Sequence, residues 1–118
     1  MDVPENNHNA AVVHGVILAR LGEREAARAA FQDAVRFSDA ILTEIPDESR
    51  GHCMRGLARA GLVLLDAGDM ALATQDYMQA KIGSAKGMLK EGLKLLEALM
   101  ACPNGERLKP LYDILLLE

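Results

Sequence analysis

The chain has no tryptophan and carries only two Phe and two Tyr in 118 residues. Its long segments also lack the β-branched alternation that a half-buried strand needs, which removes the sheet classes and leaves an all-α reading. A concentrated positive stripe is missing as well. With a net charge of -4 and Lys and Arg spread among Asp and Glu, nothing suits a phosphate backbone, so nucleic acid is excluded as a partner. No apolar run approaches the roughly 20 residues that span a bilayer, and Met1 to Asn9 is polar rather than basic-then-apolar, so neither membrane nor export signal is expected. The expected compartment is the cytoplasm. Cysteine is limited to Cys53 and Cys102, too few for a disulfide framework, and free thiols are the simpler reading.

What the chain does contain is small residues at repeated positions. Gly15, Gly22, Ala27, Phe31 and Ala34 recur 46 residues later as Gly61, Gly68, Ala73, Tyr77 and Ala80. Small residues at fixed distances from one ring are what two closely crossing antiparallel helices require. The pattern encodes a packed shape, not a reaction.

Six helices follow from apolar spacing and stop signals. Residues 1–7 carry Pro4 and no apolar period, and are expected to form a disordered tail. A first helix runs from about His8 to Leu21, closed by Gly22. The second begins at Glu23 and Glu25 and runs to Ile45, where Pro46 stops it. Asp47 or Ser49 caps the third, which is predicted to reach Gly68, and Asp69 caps the fourth, which ends near Gly83. A fifth spans Ala85 to Met100 with apolar residues on two sides, and after the turn at Cys102–Gly105 a sixth runs from Glu106 to Leu117. The expected organisation is a single domain over 8–118, built of repeats at about 8–45 and 47–84 and a capping pair at about 85–118.

These two copies resemble tetratricopeptide repeats (TPR), helix-turn-helix units in which a small residue on helix A, a glycine at the A–B turn, then Ala, an aromatic and Ala on helix B form the signature. The resemblance implies a short right-handed superhelix and a role in binding proteins or peptides. The usual period is about 34 residues, so the longer spacing here resembles the C-terminal arrays of bacterial signalling ATPases and regulators. The large aromatic usual in helix A is replaced by Ala11 and Leu57.

In such stacks the first helix of each unit lines a concave groove. The matched register puts Asn9, Val12, Val16, Ala19 and Arg20 there from the first unit, and Arg55, Arg59, Leu62 and Leu65 from the second. Small apolar residues flanked by Arg suit a peptide or helix carrying an acidic group. Val12 and Val16 stand where the chaperone-clamping subclass has polar residues, so that activity is not expected. No catalytic residue, cofactor site or metal site is expected: His8, His14, His52, Cys53 and Cys102 offer one adjacent pair where structural zinc needs two, and His14 is expected to pack at a helix crossing. The carboxylates lie on outer faces and the glycines at 83, 87 and 92 lack the Lys and Ser/Thr of a nucleotide loop. The consecutive Ile114, Leu115, Leu116 and Leu117 exceed what one helix face hides. Together with Leu111, Leu115 and Leu116 mark a homodimer surface, or else a further helix of a longer array covers them.

Overall fold

The structure is a computed structural model that describes residues 4–46, 49–83 and 86–116; the side chains of residues 4–9, 49, 83, 86–89, 91 and 116, and all of residues 1–3, 47–48, 84–85 and 117–118, lie outside the described residues. The chain is all-α. Helices α1 (Pro4–Arg20), α2 (Arg24–Glu44), α3 (Ser49–Leu64), α4 (Met70–Gly83), α5 (Lys86–Met100) and α6 (Lys109–Leu116) follow one another, with a short 3₁₀ turn at Gly105–Leu108 leading into α6.

Helix α1 starts at Pro4 rather than at about His8. Proline suits the first helical position because its φ is already helical and its missing N–H has no intrahelical partner there. The end of α2 is as expected, with the Ile45 N–H still bonded to Ile41 O at 2.8 Å just before Pro46. Asp69 caps α4, its Oδ1 accepting the Ala71 N–H at 2.8 Å.

The expected end of α3 needs correction. The helix stops at Leu64, and the left-handed residue is Asp66 (φ 61°), not Gly68. Gly68 is needed for a different reason: a methyl group there would lie 2.7 Å from the backbone nitrogen of Val63. Left-handed residues mark all three turns that follow a first helix, namely Gly22 (φ 82°), Asp66 and Asn104 (φ 66°). Three helix pairs are thus turned in a similar way, α1–α2, α3–α4 and α5–α6. Asp66 also joins their turns, because its carboxylate meets Arg24 at 3.7 Å and Arg107 at 2.6 Å. The two arginines hold the Asp66 carboxyl below its ordinary range, chiefly through the hydrogen bond from Arg107.

Phe31 is the pivot of the first two pairs. Its fully buried ring lies between α1 and α3: a methyl on Gly15 would come within 2.6 Å of it, and a methyl on Gly61 would collide with the opposite edge. Gly15 and Gly61 therefore serve one shared ring rather than two equivalent ones. Tyr77, the counterpart of Phe31, rests instead against Gly56, where a methyl would lie 3.4 Å from its ring.

The trough expected along the first helices is closed. Helices α1, α3 and α5 are in mutual contact, and α5 reaches α3 closely because Gly92 faces the Cys53 sulfur, 2.7 Å from where a methyl would stand. Val12, Val16, Ala19, Leu62 and Leu65 are buried there in one apolar cluster with Leu96 and Leu99. The radius of gyration, 12.7 Å, agrees with closure, since a compact chain of this length is expected near 13.5 Å. Five of the predicted groove residues, Val12, Val16, Ala19, Leu62 and Leu65, are core residues.

Candidate functional site

The charges of α3 point elsewhere than into a groove. Asp76 lies on the inward stripe of α4 beside Ala73, Tyr77 and Ala80, and is 1% exposed. A buried carboxylate is costly unless donors surround it, and three side chains of α3 do so. Arg55 donates from Nε to both Asp76 oxygens at 3.1 Å and from Nη2 to Oδ1 at 2.8 Å. Arg59 Nη1 donates to Oδ2 at 2.7 Å, and His52 Nδ1 stands 3.4 Å from Oδ1. The other nitrogen of His52 lies 2.8 Å from the Pro46 carbonyl oxygen. Both ring nitrogens of His52 therefore face oxygen atoms, one on α4 and one just past the end of α2.

Arg55 also reaches back to α2, donating from Nη1 to Asp39 Oδ1 at 2.6 Å. Burial works to lower its pKa, but the hydrogen bonds and charges of Asp76 and Asp39 outweigh it and hold the guanidinium above its ordinary value. The cluster fastens α2, α3 and α4 together. Its geometry is that of a clamp: both oxygens of Asp76 accept hydrogen bonds from the guanidinium groups of α3. Beside it opens a pocket of about 310 Å³ lined by Asp39, Leu42, Thr43, Pro46, His52 and Arg55.

The predicted site residues thus separate. Arg55 and Arg59 come together, but around an internal carboxylate, and the forked contact expected for a partner is made by Asp76. Arg20 is exposed at the end of α1 and its charge acts on Cys102, opposing the upward push that burial gives that thiol. Asn9 lies outside the described side chains. The expected dimer surface is also corrected: Leu111 and Leu115 are buried, since α6 packs on α4 and α5 and Tyr112 donates to Glu97 Oε2 at 2.9 Å. The leucines are spent within the chain. Leu116 lies outside the described side chains. His14 is exposed rather than packed at a crossing, while Cys53 and Cys102 are free and buried.

Sequence reasoning missed Asp76. Its signal was a lone carboxylate on the stripe Ala73, Tyr77, Ala80, the one buried acidic residue among the described residues, with arginines spaced one turn apart on the preceding helix.

A second surface emerges on α1. Its inward side buries Val12 and Val16, yet its outward side carries Val13 (38% exposed), Ile17 (51%) and, just past its end, Leu21 (70%). The outward stripe of α5 has Lys90, Lys94 and Glu97 exposed instead. A helix apolar on both sides is ordinarily covered on both. Comparison with protein-family models, curated protein sequences and solved structures finds no match for the chain. No helix among the described residues is long and apolar enough to cross a membrane.

Proposed function

We propose that this chain is a non-catalytic helical-repeat module, TPR-like in its units, that binds another protein through the outward face of α1. The observation that carries the reading is the uncovered apolar stripe Val13, Ile17, Leu21 on a helix whose other face is already in the core. The outward stripe of α5 presents Lys90, Lys94 and Glu97 to solvent, whereas that of α1 presents Val13 and Ile17. With Val12, Val16, Leu62 and Leu65 buried, this face takes the place of the concave groove, its three apolar residues following one another at four-residue spacing. The long repeat period, alanine-rich helices and even charge suggest a cytoplasmic scaffold or sensor part of a bacterial signalling system.

The test is capture of interacting proteins by the full chain and by two variants of equal helicity. Ile17→Glu is expected to lose the specific partner, whereas Lys94→Glu on the polar α5 stripe retains it. If Ile17→Glu recovers the same partners as the wild type, the α1 face is not the binding surface.

A further inference from the structure

Resting on the protein-binding role proposed above, we infer that the occupant of the α1 face is an amphipathic helix of another protein that carries carboxylates beside its apolar stripe. Three features lead there. Val13, Ile17 and Leu21 recur every four residues, a strip about 12 Å long and one residue wide, which matches the i, i+4 anchors of a single docked helix. Ala10, also exposed, leaves room at one end for close backbone approach. The polar borders of the strip are His14 and Arg20, both exposed.

Arg20 is the deciding group. It has no acidic partner among the described residues, whereas its exposed neighbours Arg24 and Arg28 are already paired, with Asp66 at 3.7 Å and Glu25 at 3.5 Å. From Ala10 to Leu21 the chain contains no carboxylate. A second copy docked antiparallel about Ile17 would set Arg20 of one copy opposite His14 of the other and bring no acid from this segment, so two-fold pairing gains nothing from charge. A partner with Glu or Asp flanking its apolar residues gains a charge-assisted fork on Arg20.

The experiment is selection of helical peptides from a display library with randomised faces against the full chain, with the chain's mass followed by sedimentation. Selected peptides should carry apolar residues at i and i+4 with adjacent Glu or Asp. Ile17→Glu should weaken them about thirtyfold and Arg20→Glu about tenfold, and Arg20→Glu used as bait should select Lys and Arg in place of the acids. Peptides that depend on Ile17 but show no acidic preference would overturn the inference and leave the binding face standing. A wild-type dimer that Ile17→Glu dissociates would overturn it in favour of a second copy. Absence of any peptide sensitive to Ile17 would overturn both.

Discussion

The pairs α1–α2 and α3–α4 share a 46-residue register but are lined by opposite chemistry. Ala30 in the first corresponds to Asp76 in the second, Val13 to Arg59, and Phe31 to Tyr77. In the second pair the arginines, held by Asp76, extend through Arg55 to Asp39 on α2 and fasten it to the first. In the first pair Ala30 and Val13 stand where the second has Asp76 and Arg59, and Val13 stays partly in solvent. Glycines and rings set how near the helices come, while charges decide which face is closed by the chain itself and which is left for something else.

The largest test of that contrast is Asp76→Ala, which strands two partly buried guanidinium groups. The expected loss is about 3 kcal/mol, read from the urea midpoint at unchanged slope. Adding Arg59→Val makes the second pair resemble the first at both positions and should recover part of the loss. A double variant no more stable than the single one would show that the two faces are not interchangeable.

Gly61→Ala comes next. The methyl must push against the Phe31 ring, at an expected cost of about 2 kcal/mol, offset in part by roughly 1 kcal/mol of better helix propensity. Gly15→Ala strikes the same ring from α1. In a Phe31→Leu background both penalties should shrink, with a coupling above about 0.5 kcal/mol in a double-mutant cycle; strict additivity would mean that the ring is not shared.

The smallest effect is expected from Tyr77→Phe, which copies Phe31 into the second pair. The Tyr77 hydroxyl is buried with no hydrogen-bond partner among the described residues, so its removal should stabilise the fold by about 1 kcal/mol. Burial first, and then the nearby Cys53 and Asp76, push its pKa well above the ordinary 10.0. The folded state therefore keeps a proton that the unfolded chain releases: this contribution to stability is intact below about pH 10 and declines as pH rises further. Tyr77→Phe should move the midpoint of alkaline unfolding upward, with Tyr112 present in both proteins. An unchanged midpoint would contradict the assignment.

The six helices could be read from the sequence because stop signals coincide with apolar spacing: Pro46 ends α2 and Asp69 caps α4 as expected. The link between Gly15 and Gly61 was legible too, though not its form, since an offset shows that two positions correspond and cannot show that they touch one ring. Val12 and Val16 were misplaced because register identifies a helix face without saying what a third pair lays over it. Arg55 and Arg59 were misread for a related reason. A surface arginine and one committed to an internal acid look alike in sequence unless the acid is noticed, and Asp76 had been passed over among residues of its own helix that pack inward.

Because the Phe31 ring is walled on one side by its own pair and on the other by the next, the units of this chain overlap like shingles and do not tile like bricks. A fragment ending at Glu44 would keep both of its helices yet leave one side of that ring wet. The smallest piece able to stand alone must therefore extend at least through α3, and any shuffling of units must move the glycine of one together with the ring of its neighbour.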